Sequence, residues 1–222
     1  MNILSFDVAG SIGSIAIFKN SQCVYYTENP EKRTHAGKLI PLIEDALKKS
    51  KLTYKDLDRI TTCRGPGSFT GIRIGLATAK GLRLSCKKPV VGFTAFEASY
   101  KKCREIHPES LPILVVVDAL REDVYCQLFD PSGESQPPMN LLPKDILEYV
   151  GKRKFILTGS GALQVQEILL EKNTNFVKVS SPYTAKDLGE MVLSLTKEHL
   201  EKLEKDSLEP FYLRPPDINE KK

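Results

Sequence analysis

Apolar and polar positions alternate through the start of the chain, predicting two strands, Ile3 to Val8 and Ile12 to Phe18, joined by the small-residue turn Ala9-Gly10-Ser11. A third strand, Cys23 to Thr27, completes a meander. From Thr34 the period lengthens: Ala36, Leu39, Ile40, Ile43, Ala46 and Leu47 recur at three- and four-residue spacing, which places them on one helical face. Pro41 lies inside that run, so the helix kinks there or begins its regular part near Ile40. Leu52-Thr53 opens a short turn before a strand near Ile60 to Cys63. The loop Gly65-Pro66-Gly67-Ser68-Phe69-Thr70-Gly71 then runs into a helix over about Thr70 to Leu84, and a strand Val90 to Gly92 and a helix capped by Thr94 follow.

The second half opens on Pro112 to Asp118, and with it a repeat emerges. Adding 111 to a residue number pairs Leu4 with Val115, Phe6 with Val117, Asp7 with Asp118, Ile17 with Leu128 and Phe18 with Phe129. Each half therefore starts with an apolar strand ending in Asp, a tight turn and a strand ending in Phe, and one ungapped offset covering both strands argues for duplicated architecture. The remainder predicts a strand Phe155 to Thr158, a helix from about Ala162, and a long helix opened by the capping box Thr184-Ala185-Lys186-Asp187, with Leu188, Met191, Val192 and Leu195 on its apolar face.

Composition narrows the class. The 222 residues are 41% hydrophobic, with 32 Lys+Arg against 28 Asp+Glu, 14 Gly, 14 Pro and no Trp, which excludes disorder, collagen and coiled coil as descriptions of the whole. The longest apolar run, Ile113 to Val117, is too short to span a bilayer, and no basic, apolar leader opens the chain, so a cytoplasmic protein without membrane association is expected. Cys23, Cys63, Cys86, Cys103 and Cys126 are scattered without a CxxC, which predicts free thiols and no metal site. The net charge of +4 is too small to argue for nucleic-acid binding, and Glu31-Lys32-Arg33, Lys48-Lys49-Ser50-Lys51 and Lys101-Lys102 read as solvated helix ends.

Candidate chemistry is sparse. Asp7 and Asp118, each at the carboxyl end of a strand and before a turn, stand where two facing domains would hold Mg²⁺ on a nucleotide. The same positions suit carboxylates that accept hydrogen bonds from turn amides. The loop from Gly65 to Gly71 invites a phosphate at the following helix N-terminus, but GxxxxGK[ST] is absent and Thr70 stands where GxGxxG requires its third glycine. That helix is more informative. Ile72, Ile74, Leu76, Ala77, Ala79, Leu82 and Leu84 leave a narrow polar strip of Arg73, Lys80 and Arg83, while Gly71, Gly75 and Thr78 form a small-residue row that would admit a second helix. One side is expected to pack on the chain's own sheet and the other on a partner. Of the three histidines, His107 and His199 read as helix-exit residues and His35, beside a helix start, is the functional suspect. No GxSxG marks a nucleophile.

Taken together, Asn2 to Phe18, Thr34-His35-Ala36-Gly37-Lys38-Leu39-Ile40-Pro41, the run Arg64-Gly65-Pro66-Gly67-Ser68-Phe69-Thr70-Gly71-Ile72-Arg73-Ile74-Gly75, Asp118 to Val124 and Glu209-Pro210-Phe211-Tyr212-Leu213-Arg214 resemble the bacterial TsaB (YeaZ) family over nearly the whole chain. The resemblance implies an α/β fold of two RNase-H-like domains in the actin/Hsp70/sugar-kinase superfamily, here 1–108 and 109–222, with the C-terminal tail returning to the first. It also implies a non-catalytic partner of TsaD in transferring a threonylcarbamoyl group from its adenylate to N6 of adenosine 37 in tRNAs reading ANN codons, in a complex that TsaE joins. The implied docking face, shared with a homodimer when TsaD is absent, holds Leu39, Ile43, Phe69, Gly71, Ile72, Gly75, Leu76, Thr78, Ala79 and Leu82. Asp7, Gly10, Asp118, Gly159 and Gly161 become vestiges of a nucleotide site. ATP and Mg²⁺ are handled by the partner subunits, this chain has no cofactor or metal of its own, and tRNA is reached indirectly. TsaD holds its metal with an HxxxH pair, and here the position four after His35 is Leu39, so the second ligand is missing. The family's glycoprotease label finds neither a nucleophile nor a complete metal motif. The alternative is an independent ATP-dependent phosphotransferase or ATPase using Asp7 and Asp118. An RNase-H-like nuclease ranks last, because Glu44 and Asp45 sit beside a helical face assigned to packing.

Overall fold

The structure, a computed structural model, describes residues 1–10, 12–29, 35–108, 110–179, 182–206 and 208–214, with backbone only at 29, 35–37, 205 and 206. Ser11 of the first turn, the Glu31-Lys32-Arg33 run and the side chain of His35 therefore lie outside the described residues.

Among the described residues two five-stranded sheets carry the fold. The first holds β1 (Ile3–Asp7), β2 (Gly13–Lys19), β3 (Gln22–Asn29), β4 (Arg59–Cys63) and β5 (Val90–Phe93), in the order β3-β2-β1-β4-β5. The second holds β6 (Ile113–Asp118), β7 (Val124–Phe129), β8 (Met139–Leu141), β9 (Phe155–Thr158) and β10 (Phe176–Lys178), in the order β10-β9-β6-β7-β8. Read from its other end, the second order is the first again, with matching strand senses: an antiparallel meander of three strands and two strands parallel to its first. This is the RNase-H-like unit used twice. The leading strands are apolar along their length because they lie inside the sheets and are covered on both faces: every residue of β1 is buried, and all of β6 except Asp118.

The repeat is real, but the single ungapped offset is not. Asp7 pairs across the sheet with Ser14 and Asp118 with Val124, so six residues separate the first pair and five the second. An offset of 111 aligns the leading strands, and the second hairpin's shorter turn then shifts its returning strand by one.

Among the described residues seven α-helices cover the sheets: α1 (His35–Lys49), α2 (Phe69–Cys86), α3 (Ala95–Ile106), α4 (Ile146–Val150), α5 (Ala162–Glu171), α6 (Ala185–Ser194) and α7 (Lys197–Asp206). The two caps read from sequence, at Thr94 and Thr184, form, and Ser68 adds a third that starts α2 before the expected Thr70. Ser68 accepts from the Gly71 amide at 3.2 Å, Thr94 and Glu97 close a capping box, and so do Thr184 and Asp187. The helix expected to run on from Thr184 instead breaks after Ser194, where Leu195 turns extended and Thr196 restarts it. His199 consequently sits in a first turn, its amide donating to Thr196 Oγ1 at 3.3 Å, and not at a helix end as its sequence position suggested.

Packing crosses the linear division at 108/109. The Ala185 amide donates to Ser14 Oγ at 2.9 Å, Glu204 pairs with Arg59, and a Cβ on Gly189 would stand 2.1 Å from the Phe18 ring, so α6 and α7 lie on the first sheet. Helix α3 covers the inner face of the second sheet, where Tyr100 stacks on Phe129 with centroids 4.5 Å apart. Lys102 on α3 reaches Asp187 on α6 at 3.0 Å and ties the two crossing segments together.

Candidate functional site

Both leading strands end on one cleft. It has a volume of about 540 Å³, and Asp7, Gly10, Pro66, Asp118, Ser160 and Tyr183 are among the residues lining it. The repeat therefore brings Asp7, Gly10 and Asp118 together, whereas Gly159 and Gly161 flank the lining residue Ser160 without facing the cleft. The cleft is open and not collapsed.

Each aspartate is engaged by its own turn. Asp7 Oδ1 accepts from the Ala9 amide at 2.8 Å, and Asp118 Oδ1 accepts from the Leu120 amide at 2.7 Å and from Gln164 Nε2 at 2.9 Å. Their surroundings differ. Asp7 is 2% exposed, and loss of hydration pushes its carboxyl from 3.8 up to about 6, against the opposing pull of the Ala9 amide, the Tyr183 hydroxyl and the Gly10 amide. Asp118 is only half-buried.

The glycines around the cleft serve backbone approach. Gly67, in the loop from β4 into α2, and Gly71, in the first turn of α2, would place a Cβ 2.5 Å from Ala9 O and 1.9 Å from Val8 O. Gly159 and Gly161, in the loop from β9 into α5, would place one 2.2 Å from Val116 O and 2.9 Å from Asp118 N. In both units, then, a glycine-bearing loop after the strand parallel to the leading one rests on the end of the leading strand; that contact explains Gly67 and Gly71 without a phosphate, while Gly65 lies against Phe211 O.

Sequence reasoning missed Cys63 and Tyr183. The Tyr183 hydroxyl donates to Cys63 Sγ at 3.2 Å, burial pushes that thiol well above its ordinary range, and the nearby Asp7 carboxylate adds to the effect. The segment before α6 enters the cleft only because α6 returns to the first sheet, and no local pattern announces that. Carboxylates also outnumber lysines on the lining: Asp7, Glu28, Asp118, Asp187 and Glu190 against Lys102 and Lys186. Among the described residues no group of three or more His, Cys, Asp or Glu is placed to hold a metal ion.

The expected docking face needs correction. Leu39, Ile43, Gly71, Ile72, Gly75, Leu76, Ala79 and Leu82 are buried in the chain's own fold, and only Phe69 and Thr78 are partly exposed. The small-residue row exists for an intramolecular reason: Gly71 abuts Val8 O, and Gly75 faces Val8 Cγ2 and Thr62 Oγ1. What α2 presents outward is Thr70, Arg73, Ala77, Lys80, Gly81, Arg83, Leu84 and Ser85, with Leu84 80% exposed. The C-terminal segment lies along the start of this helix. The Phe211 amide donates to Arg64 O at 2.8 Å, Tyr212 packs on Phe69 at 5.1 Å, Arg73 stacks over Phe69 at 3.8 Å, and Arg214 pairs with Asp123.

A protein-family model described as "TsaD: tRNA N6-adenosine threonylcarbamoyltransferase" matches residues 28–221. Relatives described as "tRNA threonylcarbamoyladenosine biosynthesis protein TsaB" include one from Buchnera aphidicola, 35% identical over 55% of this chain and 58% of its own length. Another, from Escherichia coli, is 30% identical over 56% of this chain and 53% of its own length. The chain belongs to the TsaD family, in its TsaB (YeaZ) branch. It spans little more than half the length of those curated relatives. A solved structure from Pseudomonas aeruginosa, described as an uncharacterized protein with similarity to peptidase YEAZ, covers 96% of this TsaB-branch chain and 99% of its own, with a TM-score of 0.73 at 21% identity, and supports the fold. Among the described residues no helix is long and apolar enough to cross a membrane.

Proposed function

We propose that this chain is a non-catalytic subunit that docks on TsaD, in a complex joined by TsaE, and supports transfer of a threonylcarbamoyl group to N6 of adenosine 37 in tRNA, in the cytoplasm. The observation that carries the reading is the outward stripe of α2. Ala77, Gly81 and Leu84 follow one another at i, i+4 and i+7, a Cβ on Gly81 would meet nothing within 4 Å, and Leu84 lies 80% exposed where a solitary subunit would gain by covering it. In the absence of TsaD the same stripe pairs two copies of this chain about a two-fold axis.

The cleft supports a role without chemistry of its own. Asp7 and Asp118 spend an oxygen each on turn amides, and five carboxylates against two lysines make a poor receptacle for a triphosphate. ATP and Mg²⁺ are accordingly assigned to the partner subunits. The open 540 Å³ volume is the specific feature that favours the alternative, an independent ATPase or phosphotransferase. Calorimetry of the purified chain with Mg-ATP separates the two: tight binding with turnover establishes the enzyme reading. Substituting Leu84→Asp tests the docking itself, and TsaD capture undiminished by that change would refute the placement.

A further inference from the structure

The net charge of +4 conceals an uneven distribution. Residues 1–108 hold 18 Lys+Arg against 9 Asp+Glu, whereas 109–222 hold 14 against 19, and within 38–88 the ratio is 12 to 4. The fold gathers much of this excess at one end of the first unit. Lys48 and Lys49 close α1, Lys51 and Lys55 follow it, Arg83 lies in the last turn of α2, and Lys87 and Lys88 follow that helix. Three contacts show that these segments meet: α1 packs on α2, Lys88 Nζ donates to Lys55 O at 2.7 Å, and Asp56 feels the charges of Lys88 and Lys19.

Of the acidic residues nearby, Glu44 is exposed beside Tyr54, and the other three are already engaged. Asp45 pairs with Lys49 at 2.7 Å, Asp56 accepts from the Thr53 amide at 2.8 Å, and Asp58 accepts from the Asn2 amide at 2.6 Å. Lys48, Lys51, Lys55, Arg83 and Lys87 are exposed and form no ion pair among the described residues. Attraction to the helix dipoles accounts for cations in the last turns, such as Lys48 and Arg83, but not for Lys51, Lys55 and Lys87, which lie beyond them.

We propose that this basic end is a docking surface for the phosphate backbone of RNA, so that the chain touches the tRNA directly as well as through its partner. The inference rests on the functional reading above and deepens it. Charge complementarity selects the occupant: a set of unpaired flexible cations beside an apolar docking stripe suits a polyphosphate track that crosses from one subunit to the next. From sequence, Lys48, Lys49 and Lys51 read as a solvated helix end and Arg83 as part of a polar strip, because the acidic second half cancels the excess in the total.

The test is fluorescence anisotropy of a labelled, unmodified tRNA transcript with the full-length chain across a salt series. A control variant, K152Q/K154Q, changes exposed lysines of the second unit. The wild type should bind, with an affinity that falls steeply with salt. K48Q/K55Q/R83Q should bind about tenfold or more weakly at about 0.1 M salt, with a log–log slope shallower by roughly 2–3, whereas the control should match the wild type. Equal binding by the triple variant and the wild type, or no binding by the wild type at low salt, overturns the proposal. Competition by polyglutamate as effective as that by RNA also overturns it, in favour of an acidic protein surface. Capture of TsaD is measured on the same variants, so that a triple variant retaining both TsaD and RNA refutes the RNA surface alone, whereas a wild type that captures no TsaD refutes the subunit reading.

Discussion

Replacing Asp7 with Asn probes the buried carboxyl of the cleft. The carboxylate is 2% exposed and its pKa rises from 3.8 to about 6, so folding takes up a proton between those values. Because the folded-state value is raised, Asp7 is neutral in both states below about pH 3.8 and imposes no ionisation penalty there. The penalty grows as the pH rises and is complete above about 6, where a shift of about two units corresponds to roughly 3 kcal/mol. Asparagine keeps an oxygen for the Ala9 amide and cannot ionise. Any fixed cost of its amide group near Tyr183 is the same at every pH, so the informative quantity is the change in the stability difference between variant and wild type. Urea unfolding at about pH 4.5 and pH 7.5 should show that difference moving by about 2 kcal/mol in favour of Asp7→Asn as the pH rises. A difference that stays constant, or moves the other way, would refute the claim that burial without a compensating cation dominates this site.

Further outcomes follow from the packing. Gly71→Ala should lower stability by about 3 kcal/mol or more in urea unfolding, because its Cβ would fall 1.9 Å from a backbone oxygen that cannot retreat without displacing β1. Gly75→Arg should abolish soluble expression, since the side chain would enter the contact with Val8 and Thr62, whereas Ala77→Arg on the exposed side should leave the thermal midpoint within a few degrees of wild type. Native alkylation at about pH 8 followed by mass spectrometry should label the half-exposed Cys23 and Cys86 and spare the buried Cys63, Cys103 and Cys126. Rapid labelling of Cys63 would contradict the closed contact with Tyr183.

Much of the architecture was legible because it rests on local signals. Period-two alternation marked β1 and β2, the Thr94 cap and the Thr184 capping box fixed two helix starts, and the Asp7/Asp118 correspondence disclosed the duplication. What escaped depended on tertiary arrangement. An apolar residue on a helix reads the same whether its cover is a partner or the chain itself, so Leu76, Ala79 and Leu82 read as outward, whereas α1 and the first sheet bury them. A small-residue row reads the same whether a helix or a strand end approaches, and here Val8 approaches Gly71 and Gly75. Tyr183 reaches Cys63 across 120 positions, and no window of sequence contains that contact. The edge strands β8 and β10, three residues each, carry too little pattern to predict.

The central claim is that the chain acts by docking through the outward stripe of α2, and titration calorimetry with purified TsaD tests it most directly. Wild type should bind, and Leu84→Asp should weaken binding by about 2 kcal/mol or more while retaining the wild-type unfolding midpoint. Equal affinity for the two proteins would contradict the account.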